Sequence, residues 1–175
     1  MSESTPAPVL SVIHPEVWQP LPARGRGLFR LSHAFGLALP GLGLGTGAAA
    51  LASAFLDSSW PIWIGTIAGG VFGALYGMRL GGRRHAAYRW KLDADGFAMR
   101  RGRLWQSEVH VPATRVQHLD VKRGPLERRR ALATLVIHTA GTQLSAVTVP
   151  CLDADDAEAL RAELAMRIEP AGADD

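Results

Sequence analysis

The chain has 175 residues, 47% of them hydrophobic and 20% charged, with a formal net charge of +3. That length holds one small domain beside a membrane segment but hardly a second domain with its own core, and a single cysteine, Cys151, excludes an internal disulfide. The averages resemble a soluble protein only because a polar half dilutes an apolar half: residues 1–78 are neutral overall, residues 79–130 carry +9 and residues 131–175 carry −6.

Residues 1–27 contain Pro6, Pro8, Pro15, Pro20 and Pro22 without helical or strand periodicity, which predicts a disordered cytoplasmic tail. The same stretch lacks the apolar run of a cleavable signal peptide, so the first apolar segment is expected to act as its own membrane signal. Trp18, Leu28 and Phe29 stand beside Arg24, Arg26 and Arg30, a composition that suits an approach along a membrane interface. The alternative is an unstructured tail with a stray tryptophan.

Residues 34–56 and 59–78 are uncharged, with only Asp57 and Ser58 between them. At a helical rise of about 1.5 Å per residue they reach roughly 34 and 30 Å, enough to cross a hydrocarbon layer of about 30 Å. The pattern predicts a transmembrane helical hairpin over residues 28–82. Arg24, Arg26 and Arg30 precede the first span, and Arg79, Arg83, Arg84, Arg89 and Lys91 follow the second. By the positive-inside rule both termini are expected on the cytoplasmic side of a bacterial inner membrane, with Asp57 outside, Trp60 and Trp63 at the outer interface and Tyr76 at the inner one.

Gly65, Gly69, Gly73, Gly77 and Gly81 recur every four residues, and Gly41, Gly45, Ala49 and Ser53 answer them in the first span, beside Gly43 and Gly47. Small residues at this spacing let helix backbones approach closely in lipid. The ridges are expected to pack the hairpin against itself, or to serve a contact with another copy.

From Tyr88 the apolar period changes to two: Tyr88, Trp90, Leu92; Phe97, Met99; Val109, Val111; Leu119, Val121; Leu135, Ile137; Val147, Val149. This alternation predicts six strands burying one face. Asp95-Gly96, Gly102, Arg123-Gly124-Pro125 and Ala140-Gly141-Thr142 supply the turns, so the strands read as an antiparallel meander that curls to hide its edges. Asp153 is placed to cap a final helix with Asp155 and Asp156 in its first turn and Ala157, Leu160, Leu164 and Ile168 on one face. Pro170 ends it, and residues 170–175 read as a disordered tail. The fold class expected is therefore α+β: a transmembrane hairpin, then a curled antiparallel sheet of about six or seven strands closed by a helix, over residues 86–169.

Pro112, Arg115-Val116-Gln117-His118, the run from Val121 through Lys122, Arg123, Gly124, Pro125, Leu126, Glu127 and Arg128 to Arg129, Leu132-Ala133-Thr134-Leu135 and Thr139-Ala140-Gly141 stand in this order. Together with the curled sheet and its closing helix, they resemble the pattern of bacterial PH domains in small YdbS-like membrane proteins, over about residues 28–168. The resemblance implies a PH-like domain preceded by two transmembrane helices. Arg130-Ala131 departs from that pattern, in which a glycine follows the arginines. Read without the family, most of the same residues serve turns and strands.

Arg100, Arg101, Arg103, Lys122, Arg123, Arg128, Arg129 and Arg130 are not needed by a core, and they are the candidate contacts for anionic lipid headgroups or an acidic protein partner. The plain alternative is retained cytoplasmic charge. A second functional reading is a scaffold or regulatory subunit that binds another membrane protein, or a second copy, through a sheet edge or the helix. Enzyme chemistry is not expected. His14, His33, His85, His110, His118 and His138 show no local metal spacing, although His110 and His118 could meet across strands. No phosphate loop or other cofactor motif is present, neither span holds an ionisable residue for transport, and the basic clusters lack an aromatic platform for nucleic acid.

Overall fold

The structure is a computed structural model that describes residues 17–56, 58–140 and 146–168. The chain divides into two compact units: Arg26–Ala86, and the residues on either side of it. Asp57, Gly141 and Thr142, and the C-terminal tail expected at residues 170–175, lie outside the described residues.

The first unit is two helices, α1 (Arg26–Leu56) and α2 (Trp60–Ala86), both long and apolar enough to cross a membrane. Each runs about two turns further at its basic end than the uncharged stretches alone suggest. Lack of charge marks the part of a helix that tolerates hydrocarbon, whereas Arg26, Arg30, Arg79, Arg83 and Arg84 remain good helix formers beyond it. The helices run antiparallel and touch through glycine. A Cβ at Gly45 would lie 2.1 Å from the Gly65 carbonyl oxygen, one at Gly69 2.3 Å from that of Gly41, one at Gly73 2.3 Å from that of Leu37, and one at Gly77 2.2 Å from that of His33. The hydroxyls of Thr46 and Thr66 meet at 2.7 Å across the pair. At the basic end, His33 Nδ1 lies 2.8 Å from the Phe29 carbonyl and Nε2 lies 3.2 Å from the Arg84 guanidinium, an arrangement satisfied when Nδ1 carries the proton.

The second unit holds seven strands in two antiparallel sheets. The first has β1 (Gln19–Pro20), β2 (Arg89–Asp93), β3 (Gly96–Arg101) and β4 (Ser107–Pro112) in that order, and the second has β5 (Val116–Lys122), β6 (Leu132–Thr139) and β7 (Ala146–Asp153). Two short connectors matter below: a 3-10 turn at Ala113–Arg115, and α3 (Pro125–Arg128) between β5 and β6. The meander expected as one curled sheet is thus interrupted between β4 and β5. The closing helix α4 (Ala154–Ile168) packs on β5, β6 and β7.

Trp90, Leu92, Phe97, Met99 and Val111 from the first sheet are buried, as are Leu135, Ile137, Val147 and Val149 from the second and Ala157, Leu160 and Leu164 from α4. This is the period-two and period-3.6 apolar pattern realised as a core. Asp153, expected as a helix cap, ends β7 and takes the Arg24 guanidinium.

The expectation of a disordered stretch through residue 27 needs correcting where the chain is described. Gln19 and Pro20 pair with Trp90 and Arg89, and Leu21 is 5% exposed. Proline is admissible here because β1 is an edge strand, where a missing N–H removes no ladder bond from an interior strand. Trp18 is not stray: the Arg100 guanidinium lies 4.7 Å and the Lys91 ammonium 5.4 Å from its ring centroid.

The first tight turn also shifts. Asp93 pairs with Gly96, so Ala94 and Asp95 form the loop and Gly96 opens β3. With φ at +148° and a Cβ that would lie 2.2 Å from the Val111 carbonyl oxygen, that position admits only glycine. Asp93 accepts a hydrogen bond from the Gly96 N–H at 3.1 Å.

Candidate functional site

The eight basic candidates fall into two groups. Arg100, Arg101 and Arg103 belong to the β3–β4 hairpin, whose tip runs from Gly102 to Gln106. Gly102 has φ at +95° and a Cβ there would strike the Trp105 carbonyl, so the backbone of the tip is fixed by glycine. What that backbone projects is unexpected: Leu104 is 95% and Trp105 92% exposed. Arg101 and Arg103 are exposed beside them, while Arg100 is held over Trp18.

Lys122, which ends β5, forms the second group with Arg123, Arg128, Arg129 and Arg130 of the β5–β6 connection. Glu127 fixes it, accepting the Gly124 N–H at 2.8 Å and the Thr134 hydroxyl at 2.6 Å. Leu126 is 51% exposed among these cations. Arg123 pairs with Glu158 at 2.9 Å, and Arg130 donates to the Arg24 carbonyl. Among the described residues, no hydrogen-bond or ion-pair partner is found for the side chains of Arg101, Arg103, Lys122, Arg128 or Arg129. Five of the eight therefore have free charge, in two places. The pair Leu104-Trp105 was legible in principle, since two adjacent large apolar residues directly after a turn glycine break the strand alternation and have no core position to fill.

Elsewhere the acidic groups serve the fold. The Lys91 ammonium, 2.8 Å from Asp93, holds that carboxyl below its ordinary value. Asp156 is pushed up by burial and by neighbouring Asp153 and Asp155, as expected of crowded helix-start acids. Cys151 is buried and its thiol is pushed up to about 11, by burial first and then by the Glu127 charge, so it stays protonated at neutral pH.

The histidines combine differently from the expected meeting of His110 and His118. His110 pairs with Ala98 in the first sheet, because β4 and β5 are not neighbours, and His118 instead faces His138 across β5 and β6. Local spacing could not reveal this pair, which depends on strand register.

This arrangement, two long apolar helices followed by two antiparallel sheets and a closing helix, is that of a membrane protein with a PH-like domain. The chain belongs to the bacterial PH domain family, whose model matches residues 36–168. It is similar to the UPF0699 transmembrane protein YdbS of Bacillus subtilis (strain 168), with 33% identity over 105 residues. That match covers 58% of this chain and 64% of the relative, so the chain spans less than two thirds of the relative's length. No solved structure matches.

Proposed function

We propose that the chain is a non-catalytic, membrane-anchored module whose basic PH-like unit meets the anionic headgroups of the membrane that holds it. The observation that carries this reading is the β3–β4 tip, where Leu104 and Trp105 stand almost fully in water directly after Arg101 and Arg103. Burying a large apolar side chain is favourable by about 1.5–3 kcal/mol. A soluble fold that leaves two side by side has a use for them. Tryptophan suits the headgroup layer, with an apolar ring and one N–H donor, and each of the two preceding arginines adds about 1 kcal/mol near an anionic leaflet. The cations of the β5–β6 connection add a second contact of the same chemistry.

The helices supply location. Arg26, Arg30, Arg79, Arg83 and Arg84 crowd one end of the hairpin, while the connection around Ser58 has no basic residue. The positive-inside rule then puts both termini on the cytoplasmic side of a bacterial inner membrane, where the leaflet is anionic. Covalent attachment at both ends of the hairpin keeps the second unit at high effective concentration near lipid, so individually weak contacts suffice.

The test places an environment-sensitive fluorophore at position 105 by Trp105→Cys in the full chain, reconstituted in nanodiscs. Cys151 is buried and protonated, so labelling goes to the tip. Emission should shift to the blue in anionic discs, stay red-shifted in zwitterionic discs, and lose the shift in an Arg101→Ala/Arg103→Ala background. Emission indifferent to lipid charge would overturn the proposal and leave the basic residues as topology signals alone.

A further inference from the structure

The outer face of the three-stranded sheet carries a cluster that lipid contact does not use. His118 and His138 are directly paired across β5 and β6, with rings stacked at 4.0 Å and 17° between their planes. Asp120 follows His118 on the same face, and its Oδ2 lies 3.2 Å from His138 Nε2. One nitrogen from each histidine and one carboxylate oxygen all lie within 4.8 Å of one another. The side chains of Asp120 and His138 are 47% and 28% exposed, and His118 is exposed, so the cluster is open to ions from water.

The backbone departs from regularity to build this face. Val116 pairs with Thr139, yet His118 pairs with His138, so the register slips by one residue at Gln117. Strict alternation would put His118 on the same side as buried Val116. The bulge instead lets Val116 and Leu119 both turn inward, Leu119 opposite the buried Ile137, and aims His118 outward beside Asp120.

We propose that His118, Asp120 and His138 form a three-ligand site for a first-row transition-metal dication of the zinc class, with the remaining coordination position open to water. Two imidazoles and one carboxylate suit zinc, cobalt, nickel or copper, whereas magnesium and calcium select oxygen-only sets. Tetrahedral coordination at about 2.1 Å places ligand atoms about 3.4 Å apart. His138 and Asp120 already stand near that spacing, and their hydrogen bond gives way to two bonds to the ion. His118 completes the set by tilting out of the ring stack, a motion that its exposure leaves unopposed. The bound ion joins β5 to β6 through side chains 18 and 20 residues apart in sequence.

The experiment titrates the full chain, purified in mild detergent with any affinity tag removed, with cobalt(II). Binding is read by visible absorption, followed by competition with zinc and then with magnesium. The wild-type chain should take up one ion, release it to zinc and not to magnesium, and unfold at a higher temperature with zinc than without. His118→Ala and His138→Ala should each abolish both effects, and Asp120→Asn should weaken binding by about 10- to 100-fold. Metal-free unfolding temperatures that match the wild type show that these exposed substitutions leave the fold intact. Absence of saturable uptake by the wild-type chain would overturn the proposal. So would equal uptake by a His118→Ala/His138→Ala double variant, which would put the ion on other side chains.

Discussion

In the helical hairpin the large side chains point outward and the glycines of the four-residue ladder inward, whereas in the β unit the order is reversed. Phe55, Leu44, Trp63 and Phe72 are 90%, 77%, 73% and 72% exposed, while Gly70, Gly73, Gly77 and Gly81 are buried. In the β unit Phe97, Leu135, Ile137, Leu152, Leu160 and Leu164 are fully buried. The difference is the solvent each surface suits. Hydrocarbon is as apolar as leucine, so two helices in it gain by close backbone contact and not by hiding side chains, while in water apolar burial is the main stabilising term. The tip residues Leu104 and Trp105 belong to the β unit but follow the hairpin's rule.

The largest expected effect tests the water-side half of that contrast. Phe97 is fully buried and stacks on Trp90 at 6.5 Å, so Phe97→Ala should destabilise the β unit by about 3–5 kcal/mol, measured by chemical unfolding in detergent. The lipid-side half is tested by a pair. Gly69→Leu drives a side chain into the Gly41 carbonyl and should weaken the hairpin by about 1–3 kcal/mol, read from thermal stability or from cross-linking between α1 and α2. Gly43 has nothing within 4 Å of an added Cβ, so Gly43→Leu should leave the same readouts unchanged. Equal effects of the two leucines would mean that glycine content, and not the face it lies on, holds the helices together.

A smaller effect comes from Cys151. Its folded thiol is pushed up to about 11 from an ordinary 9.0, so above that ordinary value the unfolded chain releases a proton that the folded chain retains. Stability should be unaffected below about pH 9 and fall as pH rises toward 11, by roughly 1 kcal/mol at about pH 10. Cys151→Ala should remove this alkaline component, and a wild-type profile parallel to that of the variant would refute it.

What could be read in advance divides along the same line. The hairpin and the alternating strands are local patterns, visible at Gly65 to Gly81 or Tyr88 to Leu92 without knowing any partner. The two-residue strand at Gln19–Pro20 was not, because its place depends on an unpaired edge offered by β2, about 70 residues later. The His118–His138 pair was hidden for a similar reason: a slip at Gln117 decides which face His118 takes. Pro150 stands at an irregularity inside β7 that the alternation of Val147 and Val149 does not show. The β6–β7 register shifts between Ala133 and Leu135, opposite Pro150 and Cys151, and Cys151 has φ of +54°.

Glycine itself separates the two units one last time. Along the hairpin it is required by space, at ordinary helical torsions, but after α3 the requirement is torsional. Ala131 has φ of +51° at the point where the resemblance leads one to expect glycine, and the hydrogen bond from the Ala154 N–H to its carbonyl at 3.0 Å fixes it there. A left-handed non-glycine residue costs about 1–2 kcal/mol, while glycine's greater freedom in the unfolded chain returns about 0.4–1 of that. Ala131→Gly should therefore raise unfolding stability by less than about 1 kcal/mol, because the methyl is exposed and little packing is lost. Cys151 shares the torsion but not the outcome: its side chain is buried, so Cys151→Gly should destabilise by opening a cavity. If both glycine variants raised stability, torsion alone would govern these positions, and the distinction between space in the hairpin and side-chain burial in the β unit would fail at its smallest scale.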